Sequence, residues 1–195
     1  MTEKSVDKRA VRSRNMIKTT FIELMQVEEY ENITVTNVCS DAQISRSTFY
    51  QHYRGVAEVL DEVLYDVFQR VRGLKHLIEP KKSMDSIGQY ECHMPICDFV
   101  RENPKYQYII TNPKLLNQVL VQYLKVMLPE KSSKIPIEWG YSREQLEAIY
   151  VFQMTGCLNA IRQNLNKSDR EWDQIKRAID KILMNGVSES AKVNE

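Results

Sequence analysis

Residues 34–60 read TVTNVCSDAQISRSTFYQHYRGVAEVL, and the order of apolar and capping residues in this stretch decides the fold. Thr34 is placed to cap a helix whose apolar positions Val35, Val38, Cys39 and Ala42 recur at three- and four-residue steps. Gln43 and Ile44 form a turn. Ser45 then caps a second helix, predicted over Ser45–Tyr53, because its hydroxyl can accept from a backbone N–H two or three residues on. In that helix Phe49 and Tyr53 fall four apart and pack inward, which leaves Arg46, Ser47, Thr48, Tyr50, Gln51 and His52 on the other faces. A supporting helix, a tight turn and a second helix rich in hydrogen-bonding side chains make a helix-turn-helix.

Outward from this unit the chain is helical. A first helix over Arg9–Val27 buries Ile17, Phe21, Leu24 and Met25. After Arg54 and Gly55, a long fourth helix spans Val56–Leu74 with Val59, Leu60, Val63, Leu64, Val67, Phe68, Val71 and Leu74 inward, longer than a three-helix head requires. Residues 75–86 break the pattern. Helical periodicity returns over Ile87–Glu102 with Pro95 inside it, and restarts after Asn103-Pro104 and Asn112-Pro113, where proline suits a first helical turn. Pro129–Tyr141 reads as the longest loop. Ser142-Arg-Glu-Gln145 and Ser168-Asp-Arg-Glu171 are capping boxes that open an eighth and a ninth helix, the latter ending near Gly186. The expected fold is all-α with about nine helices: a helix-turn-helix head over 1–54, joined by the long fourth helix to an α-helical domain over 55–195.

The 195 residues carry 43% hydrophobic and 27% charged side chains with a net charge of +1, so total charge does not argue for a nucleic-acid partner. The local balance differs: Lys4, Lys8, Arg9, Arg12, Arg14 and Lys18 outweigh Glu3 and Asp7 in the first 18 residues, a segment able to meet phosphate or to form a solvated helix face. The polar N-terminus and the absence of a run of about 18 apolar residues point to a cytoplasmic protein without a membrane span. Cys39, Cys92, Cys97 and Cys157 are scattered. Cys92-His93-x-x-x-Cys97 lacks the further ligands that a zinc site needs, and reads as buried thiols with a half-exposed histidine, with redox sensing the other reading. Neither a Gly-rich phosphate loop, a G-x-S-x-G elbow nor an H-E-x-x-H pair occurs, so neither an enzyme nor a cofactor is expected.

The residues able to contact duplex DNA are Ser45, Arg46, Ser47, Thr48, Gln51 and His52 on the second helix of the motif, together with Thr34 and Thr36 at the N-terminus of the first. The same stretch resembles the DNA-binding head of TetR/AcrR transcriptional regulators. It matches that pattern at Thr34, Val35, Ala42, Ser45, Tyr50, His52, Glu58 (one place late) and Leu60, with conservative exchanges at Val38, Ile44, Phe49 and Tyr53. It departs at Gln43, where the pattern has a turn glycine, so this residue must adopt a positive φ or the turn must shift. It departs also at Ser47 and at Val56; a lysine's phosphate contact there would be lost or passed to Arg54.

The resemblance implies that Tyr50 meets a phosphate and that the protein is a repressor binding a palindromic operator in double-stranded DNA as a homodimer, paired through its eighth and ninth helices. It implies an effector pocket among the later helices, with Tyr90, Met94, Cys97, Tyr106, Ile109, Tyr123, Tyr150 and Met154 as candidate lining. The stretches ENPKYQYIITNPKLLNQVLVQYL and VFQMTGCLNAIRQNLNK also look like regulators of the dihydroxyacetone-kinase operon group. That second likeness implies the other possibility, control by a protein partner in place of a small molecule.

Overall fold

The computed structural model describes residues 8–75, 96–128 and 142–192, with the side chains of 74, 75, 180 and 182–192 outside that description. Among the described residues the chain is all-helical, as the periodicity predicts. The α-helices are α1 (Lys8–Leu24), α2 (Val35–Asp41), α3 (Arg46–Tyr50), α4 (Val56–Lys75), α5 (Ile96–Glu102), α6 (Gln107–Ile110), α7 (Leu116–Met127), α8 (Arg143–Asn164) and α9 (Asp169–Lys192). Short 3-10 turns at Tyr30–Asn32, Pro104–Tyr106 and Pro113–Leu115 precede α2, α6 and α7. Both proline turns open at an asparagine, and the Asn112 side chain accepts from the Lys114 N–H.

The chain divides into two compact units, one formed by residues up to Phe68 together with 103–123, the other by 69–102 and 124–195. In the first unit, Ile17, Phe21, Val38, Phe49, Val59 and Leu64 lose all solvent exposure. These residues come from α1 to α4, so each helix contributes its apolar stripe to one core. Phe68 meets Tyr123 of α7 edge-on with ring centroids 5.4 Å apart. Lys114 ion-pairs with Glu29, which precedes the first 3-10 turn, and with Glu31 inside it, at 3.3 and 3.2 Å, an exposed contact worth little by itself. In the second unit Arg101 ties the end of α8 to the start of α9. Its guanidinium donates to the carbonyls of Asn164 and Lys167 at 3.1 and 2.9 Å, pairs with Asp169 and lies over the Trp172 ring.

Several helix ends depart from expectation. The first helix stops at Leu24, not Val27: the Gln26 and Val27 amides turn back to carbonyls three residues earlier, tightening the last turn, and Val27 is 79% exposed. The second motif helix ends at Tyr50, and residues 51–53 close through Phe49 O, which accepts from both His52 and Tyr53. α9 runs through Gly186 to Lys192, because a glycine inside a helix costs only about 1 kcal/mol and no proline follows it. Both capping boxes form: Ser142 and Gln145 exchange bonds of 2.7 and 3.2 Å, and Ser168 and Glu171 exchange bonds of 3.0 and 3.4 Å. The expected helix start at Ile87, the kink at Pro95, the long loop over Pro129–Tyr141, and Cys92 and His93 lie outside the described residues.

Candidate nucleic-acid interface

The helix-turn-helix is built by local chemistry at its two caps and its turn. Thr34 caps α2 through a reciprocal pair with Asn37: the Asn37 N–H reaches the Thr34 hydroxyl at 3.2 Å and the Thr34 N–H reaches Asn37 Oδ1 at 3.2 Å. The Thr34 hydroxyl also meets Asn37 Oδ1. The α2 exit is a Schellman turn, in which Ile44 N–H bonds Cys39 O and Gln43 N–H bonds Ser40 O. Gln43 takes φ +53°, so it occupies the left-handed region that the turn demands although it is not glycine. Ser45 caps α3 by accepting from the Thr48 N–H at 3.0 Å, and its hydroxyl lies 2.9 Å from the Thr48 hydroxyl.

This construction sorts the candidate residues. Thr34, Ser45 and Thr48 spend their hydroxyls inside the motif. Arg46, Ser47, Tyr50 and Gln51 lie exposed together on α3 and its last turn, with Tyr50 at 52% exposure. Thr36 is exposed on α2, and His52 is half-buried. The Arg54 side chain is 94% exposed and approaches Glu58 at 3.6 Å, while its backbone N–H donates to the same carboxylate at 2.7 Å. Phe49, fully buried, anchors α3 from behind and meets Tyr50 edge-on at 5.7 Å. Neither α2 nor α3 has an acidic residue in its first turn, which leaves the positive ends of those two helices without a carboxylate of their own first turn. Burial pushes the Cys39 thiol up, which keeps it a neutral packing group.

The N-terminal basic set is smaller than the sequence suggests. Arg14 bonds Glu62 at 2.7 and 2.8 Å, and Lys18 bonds Glu62 at 2.9 Å and Asp66 at 2.5 Å. These two cations serve the contact between α1 and α4. Hydrogen bonds from Lys18, Arg14 and Tyr53 outweigh burial and hold the Glu62 carboxyl below the usual range. Lys8 and Arg12 are exposed and line a shallow open groove of about 580 Å³ beside Asp41 and Gln43. Sequence reasoning missed Glu62. The available signal was the i,i+4 basic pair Arg14 and Lys18 beside the apolar stripe of α1, which calls for an acidic residue on a packed neighbour.

The candidate effector residues fall in both units. Tyr106, Ile109 and Tyr123 are buried in the first, Cys97 and Met154 are buried in the second, and Tyr150 there is half-buried. Tyr90 and Met94 lie outside the described residues. Among the described residues no group of three or more His, Cys, Asp or Glu is placed to hold a metal ion, and no helix is long and apolar enough to cross a membrane.

No family model matches the chain. The fold is loosely similar to the dihydroxyacetone kinase operon activator DhaS, at a TM-score of 0.46 and 17% identity over 94% of this chain and 98% of that one, a likeness too loose to bear on function. In sequence, the chain is 32% identical over 63 residues to the uncharacterised HTH-type transcriptional regulator YxbF of Bacillus subtilis (strain 168), a match that takes in 32% of this chain and 17% of that protein.

Proposed function

We propose that the chain is a DNA-binding transcriptional regulator of the TetR/AcrR type, acting as a repressor. The observation that carries this reading is the joint exposure of Arg46, Ser47, Tyr50 and Gln51 on a capped helix anchored by buried Phe49. Arginine and glutamine suit guanine and adenine edges, and the serine and tyrosine hydroxyls suit phosphate. The match to an HTH-type regulator supports the same class. In this reading residues 1–54 read DNA and residues 55–195 bind an effector and pair two copies through α8 and α9 in the cytoplasm. Two-fold pairing presents two recognition helices to the half-sites of an inverted repeat. An effector that binds one dimer shape better than the other shifts α4, respaces those helices and lowers operator affinity.

Selection of bound sequences from a random DNA pool tests the proposal. An enriched inverted repeat is expected, and a pool that stays random after repeated rounds refutes it. In a second reading a protein partner replaces the small effector, and Phe152, 72% exposed on α8, is a residue that either such a partner or a second copy of the chain would cover. Phe152→Ser separates the two. If a second copy covers this residue the variant becomes monomeric, whereas a site for another protein leaves the dimer intact.

A further inference from the structure

We propose that Glu62 is a positioning residue, which sets the angle of the recognition helix against α4 by acting through Tyr53. This rests on the DNA-reading role proposed above for Arg46, Ser47, Tyr50 and Gln51. The five-residue α3 is too short to hold a direction by its own hydrogen bonds, and Phe49 is its one fully buried side chain. Tyr53 continues that anchor: it is 4% exposed, its ring lies 5.9 Å from that of Phe49, and its hydroxyl donates to Glu62 Oε2 at 2.8 Å. The same oxygen accepts from Arg14 Nε at 2.8 Å, and the Arg14 guanidinium sits 5.8 Å from the centre of the Tyr53 ring. The other oxygen of Glu62 accepts from Lys18 at 2.9 Å. One carboxylate therefore gathers donors from α1 and from Tyr53 in the turn that closes the recognition helix, and holds both to α4.

The physical reason for such a joint is direction. Apolar contacts attract without regard to angle, whereas hydrogen bonds weaken steeply off line. A well-packed apolar residue in place of a partly buried ion cluster is often as stable or more so, so stability alone does not account for the charge. Reading base edges requires side chains held within about 0.5 Å of their productive geometry. A helix pinned only through Phe49 would be free to roll about that ring.

The test compares the full-length parent with Tyr53→Phe, Glu62→Gln and Asp66→Asn. Each is titrated with the duplex recovered from the random pool and with a scrambled duplex of the same composition. Tyr53→Phe removes one hydroxyl; Glu62→Gln keeps the shape and removes the charge; Asp66→Asn removes a Lys18 partner that has no contact with Tyr53. The ratio of selected to scrambled affinity is expected to fall about tenfold in the first two and to match the parent in the third, with the salt slope unchanged because no phosphate contact is lost. A merely structural role would lower melting temperature in all three and leave the ratio alone. The proposal is overturned if the ratio is unaltered in folded Tyr53→Phe, even should Glu62→Gln fail to fold, or if Asp66→Asn lowers it equally. A parent protein with no preference between the duplexes overturns the DNA-reading role itself, which is a separate outcome.

Discussion

Replacing Gln43 with glycine should stabilise the head, although it removes a side chain. Gln43 stands at φ +53°, where an L-residue's Cβ crowds its own backbone and costs about 1–2 kcal/mol relative to glycine. Glycine carries an opposing term, since its unfolded chain is freer, by about 0.5–1 kcal/mol. The Gln43 side chain is exposed, so little packing is lost with it. The net gain is about 0.5–1 kcal/mol. In urea unfolding followed by circular dichroism, with a slope of about 2 kcal/mol per molar, the midpoint should rise by about 0.3–0.5 M with the slope unchanged. Gln43→Ala retains the Cβ and serves as the control, with no gain expected. The reasoning is refuted if glycine lowers the midpoint, or if alanine raises it equally, because the strain would then not reside in the Cβ.

Other outcomes follow from the ion cluster, the helix ends and the reading face. Glu62 has a folded-state pKa below its unfolded value of 4.5, so its stabilisation is fully present above pH 4.5 and is lost as pH falls through the folded value; Glu62→Gln should flatten the acid limb of a melting-temperature profile. Lys18 is raised above 10.5 because its bonds to Asp66 and Glu62 outweigh burial, so its share is present below pH 10.5 and is lost as pH rises through the folded value; Lys18→Met should flatten the alkaline limb. Arg101→Ala should cost about 2–3 kcal/mol in denaturant unfolding, since it strips donors from two carbonyls and from Asp169 and uncovers Trp172. Arg46→Ala should weaken binding to the selected duplex by about 1–3 kcal/mol with unchanged circular dichroism. Lys18→Met, by contrast, should leave the salt slope of binding intact, since that cation faces Glu62 and Asp66.

The helices, their caps and the turn of the motif were legible in the sequence because they depend on residues a few positions apart. Thr34, Ser45, Ser142 and Ser168 cap the helices they precede, the α1 stripe is buried as its spacing selects, and so is the α4 stripe from Val59 to Val71, the Leu74 side chain lying outside the described residues. Gln43 was legible as a choice between two backbones, and the Schellman bonds around it decide for the positive φ. Helix ends were less legible, because a helix stops where its last carbonyls find partners, as at Leu24 and Tyr50. What only the tertiary structure decided concerns pairs far apart in the chain. Arg14 and Lys18 look like phosphate-seeking cations until α4 places Glu62 and Asp66, some 44 to 48 residues on, against them. Residues 103–123 likewise join the compact unit of the head through contacts such as Phe68 with Tyr123. Local spacing specifies which side of a helix is buried; which charge meets which depends on how the helices pack, and that follows from the summed fit of all the stripes together.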